Sequence, residues 1–96
     1  MLVNTSFQIV PLIEVVNAYA LIDQAIEIIK QSGLSYQVGA LETTVEGDYE
    51  KVMVLMKRLH DFCNECQPTP FLIYTKTHLQ GNANIYAADK TSRFKQ

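Results

Sequence analysis

The chain has 96 residues, of which 48% are hydrophobic, and this composition suits one globular domain. Its formal net charge of −2 provides no basic face for phosphates, so a nucleic-acid partner is not expected. No apolar run approaches the roughly 20 residues that span a bilayer, and no basic segment precedes the first apolar stretch. With only two cysteines, the chain is therefore expected to be cytoplasmic, without membrane association or a signal peptide.

The first predicted strand covers residues 5–12, TSFQIVPL. Alternation places Phe7, Ile9 and Pro11 on one face of this strand. The amide of Gln8 belongs to the other face, which is therefore not a simple dry core.

The first predicted helix has Asn17 as its N-cap and runs to about Ser32. Its leucines and isoleucines form one wide apolar stripe, with Asp23 among the outward-pointing polar residues. Gly33 can adopt the left-handed conformation that ends a helix.

A hairpin is predicted next, from a short strand over residues 35–38 to a second strand over residues 42–46. Gly39 relaxes the backbone restriction at the turn between them. Gly47 ends the second strand, and Asp48 is placed to cap the following helix.

The second predicted helix covers residues 49–66, and the last strand covers residues 71–77. The element order is that of an α+β, ferredoxin-like βαββαβ sandwich. We expect a four-stranded antiparallel sheet with both helices on one face, and we assign it to residues 1–78. Residues 79–96 form either a mobile tail or an arm with a short helix over residues 85–88.

Cys63 and Cys66 form a CxxC sequence at the end of the second helix. A redox-active pair needs a thiolate near a helix N-terminus, where the positive end of the helix dipole lowers the thiol pKa. These cysteines lie at the C-terminal end, where the dipole acts in the opposite sense. His60 and Cys66 point about 120° apart on the helix, which disfavours one shared metal. We interpret both cysteines as structural, with redox or metal roles as the remaining alternatives.

No nucleophile, base and orienting group can be assembled from this sequence, so we expect a protein that is not an enzyme. The five tyrosines are numerous for this length, and one or two lining a pocket could stack on a flat ring or a cation.

Residues 39–48, GALETTVEGD, resemble the Gly-Pro-Met-x-Thr-x-x-Glu-Gly-Asp block of the small thiamine-binding proteins. Residues 32–34, Ser-Gly-Leu, and the strand end at Pro11 and Leu12 are also similar to that family. The family has the YkoF-like version of the ferredoxin-like fold, and members similar to this chain assemble through their sheets. The resemblance covers roughly residues 5–77.

The resemblance implies non-catalytic binding of thiamine or its hydroxymethylpyrimidine moiety, in salvage or uptake, with no catalytic cofactor. It implies Thr43 and Glu46 as ligand-binding residues. Amides at Gln8 and Gln37 can pair with an aminopyrimidine, and the ring of Tyr36 suits a flat cation. The alternative for Glu46 is a solvent-facing strand end or a partner of a backbone amide. The alternative for the whole chain is an oligomeric interaction module that has lost its ligand.

We also predict a homo-oligomer, a dimer or a tetramer, formed through the uncovered sheet face or its edges. Four side chains would leave that face too apolar for a small monomer, namely Val10, Leu12, Leu72 and Tyr74.

Overall fold

The computed structural model describes residues 1–94. Its four strands and first two helices follow one another in the predicted order. The elements are β1 (Leu2–Pro11), α1 (Val15–Gln31), β2 (Ser35–Val38), β3 (Thr43–Asp48), α2 (Tyr49–Glu65), β4 (Phe71–His78) and α3 (Ala87–Thr91), followed by a 3₁₀ turn over Ser92–Phe94. The four strands lie in the order β2-β3-β1-β4, and every neighbouring pair is antiparallel. This topology confirms the ferredoxin-like prediction.

The sheet has one face covered by α1 and α2 and one open face. Phe7 lies opposite Thr43 on β3 and Thr75 on β4, so these three residues share the covered face. Phe7 is 2% exposed, as the predicted alternation requires, and Val3, which precedes the predicted strand, is 0% exposed. The core consists of Val3, Phe7, Ala25, Ile29, Val45, Val52, Leu55 and Leu59.

Helix α1 begins earlier than predicted. Glu14 is the N-cap residue, and the Ala18 amide donates to its carbonyl oxygen at 2.9 Å. Asn17 lies inside the first turn, where its Nδ2 donates to Glu14 Oε1 at 2.7 Å. The prediction of Asn17 as the cap is therefore wrong, because the chain turns into the helix directly after the bend that follows β1.

The end of α1 and the start of α2 agree with the sequence prediction. Gly33, after the end of α1, has a φ of 77°, which confirms its left-handed role. Asp48 precedes α2 in extended conformation, and its Oδ2 accepts from the Glu50 amide at 3.3 Å.

Residues 79–94 form an arm that lies against the start of β1. The Ile85 amide donates to the Leu2 carbonyl at 2.9 Å, and the Leu2 amide donates to Asn84 Oδ1 at 2.8 Å. Ile85 is 7% exposed. β1 begins at Leu2 and not at Thr5, because residues 2–4 also pair with β3. The helix of the arm lies over Ala87–Thr91, later than residues 85–88. The last two residues of the predicted 79–96 segment lie outside the described residues.

Both cysteines are free thiols, and Cys63 is buried on the inner side of α2. Burial, with a smaller contribution from Cys66, raises the pKa of Cys63 from its ordinary value of 9.0 to about 11. Within residues 1–94, no group of three or more histidine, cysteine or acidic side chains is arranged to hold a metal ion.

None of the helices described for residues 1–94 has the length and apolar character needed to cross a membrane.

A Cys66→Ala variant, whose only thiol is Cys63, is expected to react slowly with iodoacetamide at pH 8. In the unmodified protein a pKa two units higher leaves roughly a hundredfold less thiolate than in the unfolded chain, and the variant keeps the larger part of this effect, which is due to burial. Mass spectrometry of native and guanidinium-unfolded protein measures the ratio, and equal rates would contradict the burial. The unfolded thiol also loses its proton first, so stability should fall as pH rises from 9.0 to about 11.

Candidate functional site

Strand β1 extends beyond the strand that pairs with it on one side. Pairing with β3 runs from Leu2 opposite Asp48 to Phe7 opposite Thr43, whereas pairing with β4 continues to Pro11. The turn at residues 39–42 does not pair with β1 and is closed by the Gly39 amide donating to the Glu42 carbonyl at 2.9 Å. We call the resulting uncovered edge of β1, at residues 8–10, the notch.

Backbone groups of Ile9 point into this notch. The Leu12 amide donates to the carbonyl oxygen of Pro70, which immediately precedes β4. Backbone N–H and C=O groups alternate in direction along a strand, so those of even-numbered β1 residues point toward β4 and those of odd-numbered residues point toward β3. Phe7 is the last odd-numbered residue with a partner on β3. Within residues 1–94, no backbone hydrogen bond joins Ile9 to the turn. Its N–H and C=O are thus one donor and one acceptor without a strand partner.

A groove of about 280 Å³ lies between α1 and the turn, and the notch forms part of its wall. Its polar lining residues are Gln8, Tyr19, Asp23, Glu42 and Thr43. The rest of the lining is mainly apolar, with isoleucines of β1 and α1. A concave, largely apolar surface with a few polar groups is typical of a small-molecule site.

Two of the predicted site residues meet in this groove. Thr43 is 6% exposed, and its position at the start of β3 places its side chain on the covered face, next to the notch. Gln8 lines the groove and also a second depression, which it shares with Thr44 and Lys76 of the open face. Gln8 therefore lies just beyond the end of the pairing between β1 and β3, where its side chain borders both depressions.

The other three predicted residues lie elsewhere. Gln37 pairs with Thr44 and faces the open side of the sheet, whereas Tyr36 pairs with Val45 on the covered side. Neither is among the residues that line the groove. Glu46 Oε2 accepts from the Ala87 amide at 2.6 Å, so this carboxylate holds the arm.

The sequence interpretation missed the contribution of α1. Tyr19 and Asp23 are four residues apart and therefore share one face of the helix at the groove. Asp23 was assigned to the outward face from periodicity alone, and its carboxylate is exposed beside the groove. The signal that could have found this pair is their spacing, combined with an unusually high tyrosine content.

A larger depression of about 580 Å³ lies beside the CxxC sequence and includes His60, Asp61 and Cys63. It contains none of the residues of the 39–48 block. Its buried thiol has a raised pKa and stays protonated at neutral pH. The groove with the notch is therefore the better candidate.

Comparison with known proteins relates the chain to a protein family. The profile of a family described as thiamine-binding protein matches residues 5–93. A UPF0045 protein of Clostridium perfringens is 36% identical over 62 residues, and the match spans 65% of this chain and 65% of that relative.

Two solved structures share the fold over almost the whole chain. A thiamine biosynthesis/salvage protein of Thermotoga maritima, whose assigned role is itself provisional, superposes with a TM-score of 0.88 at 29% identity and covers 99% of this chain and 100% of its own. A domain of unknown function from Bacillus cereus gives 0.87 at 29% identity, with coverage of 99% and 91%. Since the family profile spans nearly all of the described residues, the chain belongs to the thiamine-binding protein family.

Proposed function

We propose that the groove binds thiamine through its aminopyrimidine ring, or the free hydroxymethylpyrimidine, without catalysis. The observation that carries this proposal is the unpaired N–H and C=O of Ile9 at the notch. An aminopyrimidine carries a donor amine beside an acceptor ring nitrogen, which complements a backbone acceptor and donor. Thr43 adds a hydroxyl at the same place, so the polar edge of the ring meets several directional partners.

The remaining lining suits the rest of such a ligand. Ile22 and Ile26 of α1 provide apolar surface for a flat ring, and Tyr19 provides an aromatic face. The carboxylates of Asp23 and Glu42 also line the groove, where negative charge favours a cationic thiazolium. Membership of the family and the likeness to the Thermotoga maritima protein support the same ligand class.

Isothermal titration calorimetry tests the proposal on the unmodified protein with thiamine, hydroxymethylpyrimidine and the isolated hydroxyethylthiazole. We expect saturable binding of the first two ligands, because both carry the aminopyrimidine edge. The thiazole alone should not bind measurably. Absence of saturable binding for thiamine and hydroxymethylpyrimidine, or equal binding of the thiazole, would refute it.

The open face of the sheet favours a second role, assembly with another copy of the chain. Leu72 and Tyr74 are 46% and 56% exposed, and they lie opposite Val10 and Gln8 on this face. Covering these apolar groups is favourable, and the neighbouring edge of β4 offers unpaired backbone to the same partner. We therefore propose a homo-oligomer through this face, which is compatible with ligand binding or with a purely structural module.

Light scattering is expected to give a mass of at least two copies of the 10.9 kDa chain. A Leu72→Asp variant should shift this mass toward the monomer, because a carboxylate would be buried without a partner. Val54→Asp is the matched control, since Val54 is 62% exposed on α2 and away from the sheet. A monomer of the unmodified protein at high concentration would contradict the assembly.

A further inference from the structure

A polar cleft occupies the other half of the open face, next to the arm. The register places Thr44, Ser6 and Lys76 side by side across β3, β1 and β4. In the neighbouring row, Asn4 lies beside His78. The arm borders the cleft, where Lys90 Nζ lies 2.9 Å from His78 Nδ1. The cleft has a volume of about 290 Å³ and lies on the opposite face of the sheet from the groove.

Two buried polar atoms of residues that line this cleft have no partner within residues 1–94. Asn4 is 6% exposed; its Nδ2 donates to the Ile85 carbonyl at 3.1 Å, whereas its Oδ1 accepts nothing. Ser6 is 8% exposed, and its hydroxyl neither donates nor accepts. An unsatisfied buried polar atom is costly, and such atoms in a cleft are suited to a ligand that supplies the missing hydrogen bonds.

The charge of the lining indicates the sign of that ligand. Lys76 and Lys90 contribute two ammonium groups, and Glu42, at 3.2 Å from Lys76, is the one carboxylate among the residues that line the cleft. Glu46 lies in the same row as Asn4 but is not among the residues that line the cleft, and its Oε2 accepts from Asn4 Nδ2 and the Ala87 amide. The lining therefore carries a net positive charge at neutral pH.

We propose that this cleft binds a phosphate group, as the free ion or on a small phosphate monoester. The lysine ammonium groups and the Ser6 hydroxyl donate to the phosphate oxygens. A protonated phosphate oxygen donates to Asn4 Oδ1; the free ion keeps at least one proton at neutral pH, and a monoester carries one near and below its second pKa of about 6. Sulfate has the same shape but carries no proton at neutral pH, so it leaves Asn4 Oδ1 unsatisfied. The proposal does not depend on the ligand of the groove.

Calorimetry with inorganic phosphate at pH 6.5 and constant ionic strength, on the protein in its native assembly, tests the site. We expect saturable binding of phosphate and roughly tenfold weaker binding of sulfate. Ser6→Ala and Lys76→Met should each weaken phosphate binding roughly tenfold. Lys57→Met is the matched control, because Lys57 is also an exposed lysine in an ion pair, at 2.8 Å from Asp61 on α2. Its phosphate affinity should equal that of the unmodified protein.

Melting temperatures distinguish a binding role of Ser6 from a structural one. Because the Ser6 hydroxyl has no partner, Ser6→Ala should melt at the same or a higher temperature in the absence of phosphate. Comparison with glycerol 2-phosphate distinguishes the two forms of the ligand. If glycerol 2-phosphate binds more tightly than inorganic phosphate, the ligand is a phosphate monoester; if inorganic phosphate binds more tightly, it is the free ion. No saturable phosphate binding, unchanged affinity in Ser6→Ala and Lys76→Met, or equal affinity for sulfate would each overturn the proposal.

Discussion

Replacing Thr43 by valine is expected to weaken the binding of thiamine and of hydroxymethylpyrimidine roughly tenfold to a hundredfold, or about 1–3 kcal/mol. Valine has nearly the shape of threonine, so the 6%-exposed site stays filled and only the hydroxyl is removed. A ligand group that bonds to this hydroxyl would then be buried without a partner. Isothermal titration calorimetry measures the two affinities, and circular dichroism checks that the fold is retained.

The adjacent residue provides a matched control. Thr44 lies opposite Ser6 and faces the open side of the sheet, away from the groove. Thr44→Val makes the same chemical change one residue later and should leave the affinity for thiamine unchanged. Equal affinities of the Thr43→Val variant and the unmodified protein would remove Thr43 from the site, and equal losses in both variants would indicate a general effect on β3.

The fold could be predicted because local signals agree with the tertiary structure. The alternation of Phe7 and Ile9 with Gln8 identified the two faces of β1, and Gly33 marked the end of α1. The prediction of Asn17 as the N-cap was wrong because it relied on the capping preference of the side chain. The helix instead starts after Glu14, where the bend that follows β1 ends. The sequence left a tail and an arm as alternatives for residues 79–96, because the hydrogen-bond partner of Ile85 is Leu2, 83 positions earlier in the chain.

The candidate site was predictable only where a side chain carries the chemistry. Thr43 was identified by the resemblance of the 39–48 block, and Gln8 as a polar residue within an apolar strand. The backbone of Ile9 gives no sequence signal, because its availability depends on β1 being longer than its pairing with β3. Glu46 was predicted to bind the ligand, yet its carboxylate accepts a hydrogen bond from the amide of Ala87, 41 positions later in the arm.

Gly39 is expected to control the shape of the groove, because the turn that it begins forms one wall. A Cβ atom at this position would lie 2.8 Å from the Glu42 carbonyl oxygen, a backbone atom that cannot move alone. The same oxygen accepts the Gly39 amide at 2.9 Å, so a larger residue must open the turn. Gly39→Ala should therefore displace the wall beside Thr43 and the notch, with a roughly tenfold or greater loss of thiamine affinity.

Gly47, at the other end of β3, provides the contrasting variant. A Cβ atom there would lie 2.9 Å from Leu34 Cδ2, the end of a flexible side chain, and far from the turn. Gly47→Ala should lower the melting temperature by several degrees, corresponding to about 1 kcal/mol of unfolding free energy, while thiamine affinity is retained. Calorimetry and thermal melting of both variants separate binding from stability. If Gly39→Ala retained full affinity, the turn would not be a wall of the binding site, and the ligand would have to lie outside the groove.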